Sequence, residues 1–189
     1  MIEYKDFLSG CGAQPHATIP PKIGGKSRKR DWGVDMRSKA CCFTGHRQFY
    51  GRNANEIGYS AARAIEGLIK DGVTVFKAGG AVGFDTVCAL EVLRLRENYP
   101  AVRLELILPC KRQERNWNVR DKKLYREILE AADSVEFLAE QYYDGCMQMR
   151  NRALVNGSDY CIAYLARHYG GTYYTVTYAK EQGLEVILI

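Results

Sequence analysis

Ala78-Gly79-Gly80-Ala81-Val82-Gly83-Phe84-Asp85 follows the apolar run Val73-Thr74-Val75-Phe76 and precedes a longer one from Val87 to Leu95. A short β-branched and aromatic run, a cluster of glycines, and then a long apolar stretch read as strand, tight turn and helix start. Gly79, Gly80 and Gly83 have no Cβ, so the backbone can bend sharply and a ligand can come close. The turn aims N–H groups and the positive end of a helix dipole at one point. A phosphate is the natural occupant, and Asp85 is placed to cap the helix through the N–H groups of its first turn. The spacing is neither G-x-G-x-x-G nor G-x-x-x-x-G-K-[ST], so neither common nucleotide signature applies as written. The plain alternative is a tight turn that binds nothing.

On either side of this stretch the same alternation continues. Apolar runs at 40–44, 73–78, 104–108, 134–138, 160–165 and 185–189 read as strands. Helices fit the gaps between them, over 56–70, 84–97, 119–132, 146–156 and 172–182. In the first, Ala61, Ala64, Ile65, Leu68 and Ile69 share one face, and Gly72 lies just past the end. The 84–97 segment is apolar nearly all round, as in a helix packed on two sides. Strands alternating with helices imply an α/β fold: a Rossmann-like three-layer sandwich with a mainly parallel sheet of about six strands. In such sheets ligands bind beyond the carboxyl ends of the strands. The strand ends bring Thr44-Gly45-His46-Arg47, the Gly79–Gly83 turn, Pro109-Cys110-Lys111 and Gly170-Gly171-Thr172 to one rim.

The 189 residues, 47% of them hydrophobic, are enough for one full core. No run of 18 apolar residues is present, which predicts no membrane span. The first residues, MIEYKDFLSGCGAQPH, lack the pattern of a secretory signal. Seven cysteines, with Cys41 and Cys42 adjacent on a strand, point to a reduced, cytoplasmic protein without a disulfide framework. Cys11-x4-His16 has no partner pair, so no metal site is expected. Residues 1–39 hold eight Lys/Arg and four Asp/Glu, hence +4 of the total +5. Rich in Pro and Gly, they read as a basic, poorly ordered N-terminal arm before a domain over 40–189. Lys26-Ser27-Arg28-Lys29-Arg30 in that arm offers a weak nucleic-acid contact, or a merely solvated run.

The rim carries the candidate chemistry. Arg47 is a fork donor suited to phosphate, and His46 beside it is a ligand or an acid–base group. Arg150 and Arg152 are two apart on a helix, so only one of them can face the pocket. Gly170 and Gly171 form a second glycine turn at a helix start, with hydroxyls at Thr172 and Thr175. Trp117 either stacks on a base or closes the edge of the core, and the core is the better reading.

CCFTGHR (41–47), KAGGAVGFD (77–85), LPCKRQERNW (108–117), CMQMRNRALVNGSDYCIAY (146–164) and GGTYYTVTYAKEQGLEVILI (170–189) together resemble the YpsA-like branch of the SLOG superfamily. That superfamily joins the Smf/DprA DNA-processing proteins to the LOG phosphoribohydrolases. The resemblance covers about 40–189. It implies a Rossmann-like sheet and a nucleotide-derived ligand at the glycine loops. It also implies that the AGGAVGFD loop is similar to the loop that holds DNA phosphates in the DprA relatives. Met147-x-x-Arg150, ahead of Asp159, matches the LOG segment whose arginine is catalytic. The LOG signature P-G-G-x-G-T-x-x-E is broken here, where His168-Tyr169-Gly170-Gly171-Thr172-Tyr173-Tyr174-Thr175 stands. Thr175 replaces the general-acid glutamate, and a threonine cannot supply a proton near neutral pH as a tuned carboxylic acid can.

The sequence therefore points first to a sensor or regulatory module for a nucleotide, with NAD and ADP-ribose among the candidate ligands. Gly79, Gly80, Gly83, Phe84 and Asp85 would hold the phosphate. Gly45, His46, Arg47 and Arg150 would line the site, and Gly170, Gly171, Thr172 and Thr175 would hold the other end. If the chain is an enzyme, N-glycosidic hydrolysis of a nucleoside 5'-monophosphate is the reaction, with Arg150, Glu91 and Asp85 as the catalytic candidates. Single-stranded DNA binding like that of the DprA relatives is the third reading. A homodimer fits any of the three.

Overall fold

A computed structural model describes residues 39–189. The strands are β1 (Lys39–Gly45), β2 (Val73–Ala78), β3 (Arg103–Leu108), β4 (Ser134–Phe137), β5 (Tyr160–Tyr164) and β6 (Glu185–Leu188). The helices between them are α1 (Ala54–Lys70), α2 (Phe84–Arg96), α3 (Val119–Ala131), α4 (Cys146–Asn156) and α5 (Gly170–Glu181). The expected N-terminal arm, its basic run and Cys11-x4-His16 lie outside the described residues.

The six strands form one sheet in the order β4-β3-β2-β1-β5-β6, and every pairing is parallel. This is the expected α/β three-layer sandwich. Strand residues alternate between the two faces. Cys41 and Phe43 join the larger core with Ile57 and Ile65 of α1, Phe84 and Val92 of α2, and Tyr125 and Ile128 of α3. Cys42, between them, points the other way and packs with Leu154 and Val155 of α4 and Val176 and Ala179 of α5. Three helices thus cover one face and two cover the other. The six described cysteines are all buried, none in a disulfide.

Local signals set the helix limits. The Asn53 side chain accepts from the Glu56 N–H at 2.8 Å and donates to the Glu56 carboxylate at 2.9 Å, which starts α1 two residues before the apolar periodicity does. Asn118 does the same with Asp121 for α3. Helix α2 buries residues on most of its circumference, as its all-round apolar pattern predicts. Trp117 packs against the larger core, its ring 5.3 Å from that of Tyr125, so it closes the core edge.

Strand order places the candidate site. The chain steps outward from β1 to β4 and then returns to lay β5 against the other side of β1. The order reverses between β1 and β5, and in open sheets of this kind the ligand crevice lies beyond the carboxyl ends of the strands at that switch point. His46 and Arg47 leave β1 at that point. No helix among the described residues is long and apolar enough to cross a membrane.

Candidate functional site

The glycine turn after β2 is a closed internal clamp. Asp85 carries it: its carboxylate accepts the N–H groups of Gly79 at 3.1 Å and Ala81 at 3.4 Å. The expected helix cap is therefore corrected, because the carboxylate turns back onto the loop instead of onto the first turn of α2. Arg150 of α4 reaches the same place. Its guanidinium donates to the Gly79 carbonyl and pairs with Asp85 at 3.7 Å. Both side chains are buried. Burial pushes the Asp85 carboxyl up and the Arg150 guanidinium down, while their attraction and the two loop N–H groups act against it.

This clamp explains the glycines. A Cβ on Gly79 would fall on the Arg150 guanidinium, and one on Gly45 would fall on the Phe84 ring. Gly83, at φ +95°, would place a Cβ 2.6 Å from the Arg47 backbone. These glycines let protein approach protein. Gln113 completes the clamp by donating to the Gly80 carbonyl at 3.1 Å and to the Tyr125 hydroxyl at 3.3 Å.

Not every N–H of the loop is occupied. Phe84 N–H donates to the His46 carbonyl at 3.2 Å. The N–H groups of Gly80, Val82, Gly83, Asp85 and Thr86 have no partner among the described residues. They form the open start of α2, directly beside Arg47, which is exposed.

The turn after β5 is built differently. Around Gly170, at φ +84°, and Gly171, no atom lies within 4 Å of where a Cβ would stand, so their side is open space. The N–H groups of Gly170, Gly171 and Thr172 also have no partner among the described residues. Thr172 turns its hydroxyl toward His46 Nδ1, 3.5 Å away. Two helix starts from opposite faces of the sheet, α2 through Phe84 and α5 through Thr172, thus meet at His46.

His46 sits among rings and cations. Its imidazole stands edge-on to Tyr50 at 5.3 Å and Tyr164 at 6.0 Å. Burial, and then the nearby Arg167 charge, hold its pKa below the usual histidine value. Its Nε2 is shielded from solvent and lacks a hydrogen-bond partner among the described residues, alone among buried side-chain N and O atoms there. Arg167 lies 4.0 Å over the Tyr50 ring and donates to the Tyr169 hydroxyl at 2.8 Å. Arg167 and Tyr50 belong to no motif that the sequence offers, and Tyr169 stands only where the LOG signature is broken. Their signal is position alone, just beyond the ends of β1 and β5.

The remaining candidates lie elsewhere or are engaged. Glu91 is about 10 Å along α2 from its start, by the helical rise of about 1.5 Å per residue. It pairs there with Arg94 at 2.8 Å, and nothing joins it to the rim. Thr175 is buried, donates to the Gly171 carbonyl at 2.8 Å and accepts from Asn151 at 2.9 Å. Arg152 points away from Arg150 and donates to the Tyr174 hydroxyl at 2.6 Å on the surface. No group of three His, Cys, Asp or Glu side chains gathers at metal-binding spacing among the described residues.

The model of the YspA SLOG family matches residues 41–185. A UPF0398 protein of Halalkalibacterium halodurans is 34% identical over 110 residues, 57% of this chain and 58% of that protein. One of Bacillus pumilus is 33% identical over 122 residues, 63% of this chain and 66% of that protein. The chain thus spans less than two thirds of the length of either relative. Among solved structures, DNA processing protein A of Streptococcus pneumoniae superimposes with a TM-score of 0.57 at 19% identity, over 80% of this chain and 50% of that one. The Helicobacter pylori protein of the same name, reported for its single-stranded DNA binding mode, gives 0.57 at 19% identity over 79% of this chain and 64% of that one. These two likenesses concern the fold.

Proposed function

Because this chain belongs to the YspA SLOG family, we propose that it binds a phosphate-bearing nucleotide in the crevice between the ends of β1 and β5, as a sensor or regulatory module. One observation carries this reading: the N-termini of α2 and α5 converge on His46 from opposite faces of the sheet. Each helix start brings unpaired N–H groups and the positive end of a dipole, and two of them reinforce one another at a single anion. Arg47 adds a fork donor at the mouth. The Nε2 of His46, buried and without a hydrogen-bond partner among the described residues, adds a polar group on the residue where the two helix starts meet. Arg167, 4.0 Å over the Tyr50 ring, offers a guanidinium plane on which a base can stack.

The reading is binding and not turnover. Asp85 is tied to two N–H groups and Arg150, Glu91 is tied to Arg94, and Thr175 bonds to Gly171 and Asn151. None of these is poised to protonate a leaving base.

Calorimetry against AMP, ADP-ribose, NAD and a cyclic dinucleotide tests the proposal. At least one should bind, and Gly171→Asp should weaken it tenfold or more. That substitution puts a carboxylate into open space at the start of α5, so the fold stands while the anion is repelled. If the folded wild type binds none of the four, or if Gly171→Asp binds as well as wild type, the site is elsewhere.

A further inference from the structure

The loops after β3 and β4 enclose an open groove of about 800 Å³, lined by Lys111, Arg112, Gln113, Arg115, Glu140 and Tyr142 among others. Its two walls are tied together. Lys111 N–H donates to the Ala139 carbonyl at 3.2 Å, and Leu138 N–H to the Leu108 carbonyl at 2.9 Å. The Lys111 ammonium pairs with Glu140 across the groove at 2.8 Å. Arg112 and Arg115 have no ion-pair partner among the described residues, so the groove keeps a positive charge. Arg112 is held at φ +60°, a conformation that side chains other than glycine rarely adopt. Such a residue marks a loop whose shape is fixed by its surroundings. Tyr142, 64% exposed, stands at the lip. A cationic groove edged by an exposed aromatic ring is the arrangement that tracks a nucleotide backbone and stacks its bases.

The groove adjoins the glycine turn beside the candidate site. Gln113 lines it and also donates to the Gly80 carbonyl, in the turn that leads into α2. Along the rim the β1/β5 crevice and the β3/β4 groove are three strand spacings apart, about 14 Å at about 4.8 Å per spacing. A mononucleotide carries its phosphate at one end and fills the crevice alone. Consecutive phosphates of a nucleotide chain stand too close together for one link to cover that distance, so three or more nucleotides joined through phosphodiesters are needed to reach both positions, with the Gly80 turn between them.

We infer that the ligand of this rim is a phosphodiester-linked chain of three or more nucleotides, whose third phosphate lies in the Lys111–Arg115 groove. The inference rests on the nucleotide reading of the crevice, and the test separates the two. Full-length protein is titrated with AMP, the 5'-phosphorylated adenylate trinucleotide and the corresponding hexanucleotide. The same titrations are made with Lys111→Ala/Arg115→Ala, both at exposed positions, its fold checked by circular dichroism. The trinucleotide should bind at least tenfold more tightly than AMP. The double variant should bind AMP as wild type does and lose the trinucleotide's advantage. Its salt dependence should also fall, by about 0.7 in the slope of log K against log salt for each phosphate no longer neutralised. A hexanucleotide that binds more tightly still identifies single-stranded nucleic acid as the source of the chain, and one that matches the trinucleotide identifies a short free oligonucleotide. AMP bound as tightly as the trinucleotide, or a double variant with undiminished trinucleotide affinity, overturns the groove while leaving the crevice standing. Trinucleotide binding that depends on Lys111 and Arg115, in a protein that ignores AMP, upholds the groove and removes the crevice. Binding of none of the three removes both.

Discussion

The turn after β2 and the turn after β5 look alike in sequence, each a glycine pair or triplet at a helix start, yet they are built for different ends. In the first, Asp85 and Arg150 close on the loop from inside, and the glycines make room for side chains and backbone of the protein itself. In the second, Gly170 and Gly171 face open space, and the N–H groups behind them are unpartnered among the described residues. A glycine-rich turn is therefore ambiguous until its missing Cβ atoms are accounted for. Where a neighbour fills the space, glycine serves packing. Where nothing does, it leaves an approach to the backbone. The first turn remains part of the site because its clamp aims the far half of the loop, from Val82 to Thr86, toward His46.

The difference should be plainest in stability. Arg150→Ala leaves the buried Asp85 carboxylate without its partner, and breaking such a pair costs about 3–5 kcal/mol. Chemical denaturation should show it as a large drop in midpoint. A double variant with Asp85→Ala should lose less than the sum of the two single losses, since the two residues act as one unit. A midpoint near wild type for Arg150→Ala would mean the clamp is not what holds the loop.

Gly83→Ala should come next. It forces a Cβ against the Arg47 backbone, and overpacking of this kind costs about 1–3 kcal/mol. Gly170→Ala meets no neighbour and suffers only from its φ of +84°, a penalty of about 1–2 kcal/mol. Gly171→Ala has neither burden and should stay within about 0.5 kcal/mol of wild type. Equal losses at Gly83 and Gly171, measured by the same denaturation, would erase the distinction between the two turns.

The smallest effect concerns pH. The His46 pKa is lowered in the folded protein, first by burial and then by Arg167, so the fold favours the neutral ring. The unfolded chain then binds the proton more readily. Its stabilising contribution is present above the ordinary histidine value of 6.5 and is lost as pH falls through the lower folded value. Melting temperature should fall on acidification from neutral pH, and less steeply in His46→Gln. Parallel pH profiles for the two proteins would rule His46 out as the titrating group.

Much of this was legible in the chain. All six strands and five helices follow from period and punctuation, because each strand carries apolar residues, buried except in the edge strands β4 and β6, and each helix has a glycine or an Asn cap at one end at least. The opposite facing of Cys41 and Cys42 follows from the strand period alone. The rim followed from the parallel order, since parallel strands end on one side. What the sequence could not give was the direction of individual side chains. Asp85 has the right type and place for a helix cap, and only the arrival of Arg150 from α4 explains its turn toward Gly79. Gln113 meets Gly80 across 33 residues and Thr172 meets His46 across 126, and no local pattern encodes either contact. The Lys111–Arg115 groove has a partial signal in its basic run, but its second wall comes from the loop after β4.

The central claim is that the anion rests between the starts of α2 and α5 and not inside the glycine clamp. Nitrogen-15 NMR during an AMP titration tests it directly, because each amide reports its own hydrogen bond. The amides of Val82, Gly83, Asp85 and Thr86 and those of Gly170 to Thr172 should shift together and saturate together, while Gly79 and Ala81, held by Asp85, stay in place. Shifts centred on Gly79 and Ala81 would mean that the ligand displaces Asp85 and opens the clamp. A spectrum unchanged at both helix starts would contradict the account outright.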